Sequence, residues 1–459
     1  MRVSWIAIAA LGVGVRLLFL LLAPHIEPHA DESTYLYLAA CWNRFGVYSD
    51  WVRFLWPPGY PFFLSLFLRA AGGGGVLAAK AVQVLLSGVI GASVYRLGLR
   101  FFDRRAARAA LWVWALYPPL IGYTHTLWPE TLFLALFFSA FALIAGPNVA
   151  PAPGARGDVR LLLGGFLFGG ALLVKEGALP LVAVILLWLF LREGAGRRGA
   201  GARGAALTAL AVLVVILPWT IRNHSVYGRW QPVGATLGMN CYVGLNGTYR
   251  NLDYPSDMIA DMVRANRRVA GPFLGSPPPA WKRSEAMNII DRSREDTAAG
   301  IRFARANPGY VLRSRVKRIA DYLSPTSNPV RHYALRLYPG ILSAGPVRRA
   351  FVLFALFASA AVTALAVPGI FHAVRRRDGW ILALLPAALF LTAGLLVGAS
   401  RFRVPVLPVL IVLAGRTLAG GEGRLRAAER WTIAAAWAAL LFFWVLNSAE
   451  LLVLLRRVW

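Results

Sequence analysis

Apolar residues run along this chain in repeated blocks of roughly twenty, the length a helix needs to cross the hydrocarbon core of a bilayer. The blocks lie near 3 to 23, 76 to 99, 107 to 125, 128 to 146, 160 to 174, 177 to 191, 204 to 220, 350 to 373, 380 to 399, 404 to 419 and 431 to 454. The pattern predicts about eleven transmembrane helices. No small-residue cleavage site follows the Leu17 to Leu22 run, and Pro24-His25 comes instead, so the first block reads as a retained helix. Residues 24–75 then form a first outer loop with two amphipathic stretches, Tyr35 to Phe45 and Tyr60 to Leu68, parted by Trp56-Pro57-Pro58-Gly59. Such stretches lie in the membrane interface. Gly72 to Gly75 reads as a linker, because no Lys-Ser/Thr follows to make a phosphate loop. The chain divides into an N-terminal membrane module (1–220), an extramembrane segment of mixed charge (221–346) and C-terminal helices (347–459).

Composition sharpens this picture. Of 459 residues, 58% are hydrophobic and 15% charged, against about a quarter charged in a soluble domain. A soluble enzyme, a disordered chain, collagen and a coiled coil are excluded. The 49 Lys+Arg and 21 Asp+Glu leave a net charge of +28, which in a soluble chain would suggest nucleic acid. Placement argues otherwise. With a cytoplasmic N-terminus, every short inner loop is basic: Arg100, Arg104, Arg105 and Arg108; Arg156 and Arg160; Arg192, Arg197, Arg198 and Arg203; Arg375 to Arg377; Arg416, Arg424, Arg426 and Arg430. That is the positive-inside pattern, from which a long loop such as 221–346 is exempt. Arg456 and Arg457 fall on the outer side with an odd helix count. Cys41 and Cys241 form no disulfide framework, though one bridge between them is open.

Carboxylates are scarce on the outer side. Beyond the long segment they are Glu27, Asp31, Glu32, Asp50, Glu130 and Glu176. Asp31-Glu32 opens an apolar stretch right after the first span; it reads either as an acid favoured by a helix N-terminus or as a general base at the water boundary. Glu130, after Pro129, reads as a first-turn acid or as the second carboxylate of a site. Lys175-Glu176 sits at the outer turn between the fifth and sixth spans, as an ion pair or with Lys175 on a phosphate. Arg222 in Pro218-Trp-Thr-Ile-Arg222-Asn223, and Arg401 and Arg403 in Ser400-Arg401-Phe-Arg403-Val-Pro405, stand at the outer boundary against the inside bias. They are interface anchors, or forks for an anionic headgroup. The long segment adds 18 Lys+Arg against 8 acids, so anionic lipid or lipid-linked phosphate is the expected attraction. His29, His125, His224 and His332 show no ligand spacing. The sequons at Asn223 and Asn246 read as chance, and no Gly-x-Ser-x-Gly, His-Glu-x-x-His or Walker sequence appears at a usable position.

In order along the chain, Asp31-Glu32, Trp56-Pro-Pro-Gly-Tyr-Pro61, Pro129-Glu130, Pro218-Trp-x-x-Arg-Asn223 and Arg401-Phe-Arg-Val-Pro405 resemble one family. The chain is similar, over roughly residues 10 to 420, to bacterial GT-C-type glycosyltransferases of family 39, related to protein O-mannosyltransferases and the lipid A aminoarabinose transferase. The resemblance implies an all-α polytopic bundle in a bacterial plasma membrane. It also implies a polyprenyl-phosphate sugar donor, and transfer on the outer face to a lipid, glycan or protein. Asp31, with Glu32 beside it, matches the loop carboxylate taken as catalytic base, and Glu130 the second acid. Lys175, Arg222, Arg401 and Arg403 match phosphate-contacting positions more loosely. Relatives with a separate soluble C-terminal domain differ from a chain carrying its long segment at 221–346, so acceptor recognition does not carry over.

The chemistry asked of such an enzyme fits these residue types. An acceptor hydroxyl attacking an anomeric carbon needs one base, and a departing lipid phosphate needs cations. No cofactor is required, and a divalent metal, though compatible, has no evident ligand set. A flippase for lipid-linked sugars is the rival from another class, with broken mid-membrane helices or inverted repeats as its signature. Pro118-Pro119 is the best candidate break.

Overall fold

The computed structural model describes residues 3–23, 31–48, 55–146, 155–193, 198–246, 288–334, 344–420, 426–448, 451 and 455. Glu27, His29, Asp50, Arg197, the Asn246 sequon beyond its first residue, Pro277 to Pro279, Arg424, Arg456 and Arg457 lie outside them, as do the side chain of Arg156 and the Pro24-His25 junction.

Among the described residues every element is helical: α1 Trp5–Leu22, α2 Asp31–Phe45, α3 Gly59–Ala71, α4 Gly75–Phe101, α5 Arg104–Leu116, α6 Pro118–Gly122, α7 Glu130–Ile144, α8 Ala155–Val174, α9 Leu179–Leu191, α10 Arg198–Tyr227, α11 Leu237–Asn246, α12 Ile289–Ala306, α13 Pro308–Leu323, α14 Asn328–Ala334, α15 Gly345–Val374, α16 Ile381–Leu389, α17 Leu407–Ala419 and α18 Ala427–Leu446. A π turn, Phe390–Gly394, extends α16, and a 3-10 stretch, Ser400–Val406, leads into α17. The described parts of the apolar blocks read from the sequence are largely helical, with the 107–125 block divided between α5 and α6. Seven helical stretches are long and apolar enough to cross a membrane, and Glu130–Ile144, Glu176–Leu191 and Ile381–Gly394 are shorter apolar helices. The chain is an integral membrane protein, all-helical over the described residues. Both amphipathic stretches of the first loop are helices, α2 and α3, packed on each other. Cys41 is buried and Cys241 half-buried, and among the described residues no disulfide joins them.

Inside a bilayer, apolar side chains gain little by leaving lipid for one another, so close packing has to hold helices together. Gly165 and Gly169, one turn apart on α8, lie directly against Thr208 and Val215 of α10, leaving no room for a Cβ. Gly12 of α1 and Gly91 of α4 make the slot that takes the Trp114 indole of α5.

The Pro118-Pro119 break is real, and it is repaired by an arginine. Neither proline has an N–H, so in a continuous helix the carbonyls four residues back, those of Trp114 and Ala115, would go unpaired. Arg16, fully buried in α1, donates Nη2 to the Trp114 carbonyl at 2.9 Å and Nη1 to the Ala115 carbonyl at 3.1 Å. Its guanidinium also lies 4.4 Å from the Trp114 ring centroid. The chain turns at Tyr117 into the short α6, which directs residues 123–130 across one end of the bundle.

Following α7 from Glu130 to Ile144 separates the two ends of the bundle. At the Ile144 end, Arg192 donates Nη1 to the Ile144 carbonyl at 3.1 Å and Arg100 donates Nε to the Ala145 carbonyl at 2.6 Å. Arg100 also pairs with Asp378, and Arg375 with Glu429. Cations at a helix C-terminus satisfy its last carbonyls and its dipole. Arg100, Arg192 and Arg375, from three of the basic inner loops read from the sequence, lie at this end, and the Glu130 end is chemically different.

Candidate active site

Four side chains from four separate parts of the chain meet at the Glu130 end. Asp31 is the first residue of α2, Glu130 the first of α7, Lys175 follows the last residue of α8, and Arg401 sits in the 3-10 stretch before α17. Arg401 joins the two acids, with Nη1 2.6 Å from Asp31 Oδ2 and Nε 2.9 Å from Glu130 Oε1. Lys175 Nζ reaches the same Glu130 oxygen at 2.9 Å. The Tyr35 hydroxyl, one turn along α2 from Asp31, lies beside Arg401. Its Cζ lies 3.7 Å from the centroid of the Trp128 ring, close enough for a cation–π contact.

Burial grades across this cluster. The Glu130 side chain is fully buried, whereas those of Lys175, Asp31 and Arg401 keep 16%, 18% and 19% of their surface exposed. Glu130 is the floor and the other three the rim. An ionised acid with no exposure needs direct cationic partners, and Glu130 has two. Burial pulls the Lys175 ammonium below the usual lysine range, against the opposing pull of Glu130.

Local structure fixes each member. Gly398, at φ +79°, has Arg318 of α13 where a Cβ would go; only glycine fits both that angle and that approach. The chain there leaves the π turn and enters the stretch carrying Arg401. Residues 124–127 are held from three sides. Gln83 of α4 donates to the Thr124 and Thr126 carbonyls at 3.1 and 3.0 Å, Tyr60 of α3 donates to Gln83 at 2.9 Å, and the Leu127 N–H donates to Glu32. Buried Lys80 of α4 lies near Glu32. Gly122 abuts Pro329 so closely that a Cβ would collide, which seats α14 beside this loop.

Of the residues singled out in the sequence, Asp31, Glu130, Lys175 and Arg401 are brought together. Glu32, one helical position from Asp31, turns instead into the protein against Leu127. Arg403 is buried and donates to the Tyr322 and Ser324 carbonyls at 3.2 and 3.0 Å, tying α13 to the 3-10 stretch. Arg222 donates to the Tyr48 carbonyl at 3.2 Å and stacks on Trp219, 4.9 Å to the ring centroid, in a separate aromatic cluster. Glu176 accepts from the Thr236 N–H at 3.0 Å rather than joining Glu130. Sequence reasoning passed over Tyr35, Gln83, Tyr123 and Trp128. Gln83 carried a usable signal, since an amide inside an apolar span is costly unless bonded. His125 bonds the Arg16 carbonyl at 2.9 Å, and His224 stacks on Trp230. Among the described residues no three His, Cys, Asp or Glu side chains gather as a metal-binding group.

Comparison with known proteins agrees with the motifs. A family model described as dolichyl-phosphate-mannose-protein mannosyltransferase matches residues 56–221, a stretch with Glu130 and Lys175 but not Asp31 or Arg401. No curated protein matches the chain. Among solved structures, the archaeal oligosaccharyltransferase AglB from Archaeoglobus fulgidus, in complex with an inhibitory peptide and a dolichol-phosphate, superposes with a TM-score of 0.54 at 13% identity. That match covers 97% of this chain and 55% of AglB. The same enzyme in complex with Zn and sulfate gives 0.52 at 14% identity, over 96% and 52%. The chain thus spans about half the length of that relative. ArnT from Cupriavidus metallidurans, bound to undecaprenyl phosphate, matches at 16% identity over 89% and 77%, with a TM-score of 0.38. Residues 56–221 match the pattern of the dolichyl-phosphate-mannose-protein mannosyltransferases, and the chain as a whole has the fold seen in the archaeal oligosaccharyltransferase.

Proposed function

We propose that the protein transfers a sugar from a polyprenyl-phosphate carrier to a hydroxyl of a lipid, glycan or protein acceptor on the outer face of a bacterial plasma membrane. The observation that carries this reading is the Asp31–Arg401–Glu130–Lys175 cluster, two acids and two cations in direct contact at one end of a helical bundle. The arginine-capped opposite end supports an outward-facing site, by the positive-inside rule.

In this reading Asp31 is the base. The acceptor oxygen bonds to the anomeric carbon, the bond from that carbon to the phosphate oxygen breaks, and the hydroxyl proton goes to Asp31. Arg401 and Lys175 balance the charge that collects on the departing phosphate. Glu130 keeps both cations in place and charged. A phosphate reaching Arg401 competes with Asp31 for the guanidinium and so releases the carboxylate to act as base. Arg222 and Arg403, whose forks are turned to backbone carbonyls, have structural roles here. The mechanism assigns no step to a metal.

The test is a transfer assay. Purified protein in lipid vesicles, given radiolabelled undecaprenyl-phosphate sugars and an envelope extract, is expected to move label to acceptor. Movement of sugar-lipid across the vesicle membrane without transfer would support the flippase in its place.

A further inference from the structure

We propose that Tyr123, Trp128 and Glu130 form a subsite that reads the hydroxyls of the donor's sugar, directly beneath the groups assigned to its phosphate. The proposal rests on the reading above and names the part of that site which distinguishes one donor from another.

Three polar atoms carry it. Tyr123 is 1% exposed, Trp128 3% and Glu130 0%. Their Tyr123 hydroxyl, Trp128 Nε1 and Glu130 Oε2 atoms are buried without a hydrogen-bond partner among the described residues. Native proteins pair nearly all such atoms, so each unpaired one calls for an explanation. Here they belong to side chains that neighbour one another around Arg401. The Tyr123 and Trp128 ring centroids are 6.3 Å apart, Trp128 lies under Arg401, and Arg401 holds the other oxygen of Glu130. The buried Ser400 hydroxyl, next to Arg401 in the chain, is also unpartnered.

The mix of atoms selects the ligand class. An indole N–H only donates, a carboxylate oxygen only accepts, and a phenol does either. A phosphate accepts only, and Glu130 Oε2 would repel it. An ammonium group donates only, would leave the indole unpaired, and would sit beside two cations. A polyol, whose hydroxyls both donate and accept, meets all three. Stacking of the sugar on the Trp128 face that Arg401 covers is closed, so recognition runs through the N–H. A site built to bond a hydroxyl discriminates strongly against an analogue lacking it.

The experiment compares affinities for undecaprenyl phosphate, for the same lipid carrying a panel of hexoses and pentoses, and for monodeoxy analogues of the tightest binder. Wild type, Tyr123→Phe and Trp128→Phe are measured side by side in nanodiscs. Wild type is expected to bind one sugar-lipid about tenfold tighter than the bare lipid, and at least one deoxy analogue should lose that margin. Each variant should cut the ratio of sugar-lipid to bare-lipid affinity about fivefold or more. A ratio that survives both substitutions and every deoxygenation overturns the subsite while the transferase reading stands. So does an equal loss for bare and sugar-bearing lipid. Wild type binding neither kind of lipid overturns both.

Discussion

Arg401→Lys is expected to abolish most transfer even though the charge is kept. Arg401 reaches Asp31 with Nη1 and Glu130 with Nε while its plane lies on Trp128. An ammonium is a point charge without that fork and cannot span both acids from one position. With Glu130 fully buried, the substituted lysine would settle on the floor beside Lys175 and leave Asp31 and the phosphate position unserved. Removing one preorganised donor to developing negative charge costs roughly 10²–10³ in kcat, and a loss in that range should be read in the vesicle assay. Arg401→Ala goes further, because it breaks two ion pairs and leaves the buried Glu130 with Lys175 alone, a loss of stability below the roughly 3–5 kcal/mol of a fully unpaired buried charge. Thermal unfolding in detergent separates the two effects. A lysine variant within about threefold of wild type would remove the bridging role from the mechanism.

Asp31→Asn should be nearly silent in binding and severe in turnover. The amide keeps the carboxylate's size but cannot take the acceptor's proton, and loss of a positioned base lowers rate by roughly 10²–10⁴. Donor affinity carries the opposite sign. With Asp31 neutral, Arg401 loses a competing anion and is freer to bind phosphate, so affinity for undecaprenyl phosphate should hold or improve slightly. The pair of readouts is diagnostic: weakened binding together with weakened turnover would make Asp31 a structural anchor for Arg401, and undiminished turnover would remove it as base.

Much of the fold was legible because a bilayer allows few alternatives. A run of about twenty apolar residues has to be helical there, and the described parts of the blocks are largely helical, with 107–125 broken in two at Tyr117. The Pro118-Pro119 break was visible too, but its repair was not, since nothing local links Arg16 to two carbonyls nearly a hundred residues on. At the site, sequence pattern gave residue types at the outer boundary without their partners. Arg222, Arg401 and Arg403 look alike along the chain, yet Arg401 alone of the three pairs with Asp31 and Glu130. Asp31 and Glu32 are neighbours on a helix, and the turn of roughly 100° per residue sends one to Arg401 and the other to Leu127. The motif order, through family resemblance, singled out Asp31, Glu130 and Arg401, with Lys175 matched more loosely by position, but it singled out Glu32, Arg222 and Arg403 as well; it did not reveal Tyr123 or Trp128, whose importance depends on what they fail to touch.

Arg16 carries a consequence for how the chain is made. An arginine deep in a spanning helix raises the cost of membrane insertion by about 2.5–3.5 kcal/mol on the translocon scale. Its two long-range partners are synthesised some hundred residues after α1. Until the ribosome delivers α5, the first helix holds a cation whose docking place does not yet exist, and its seat in the bilayer is provisional. A chain truncated before Trp114 should leave α1 far more open to water-soluble thiol probes than the full chain, and equal protection would show that it settles alone. Biogenesis here runs backwards from the break: the prolines that interrupt one helix complete the insertion of another.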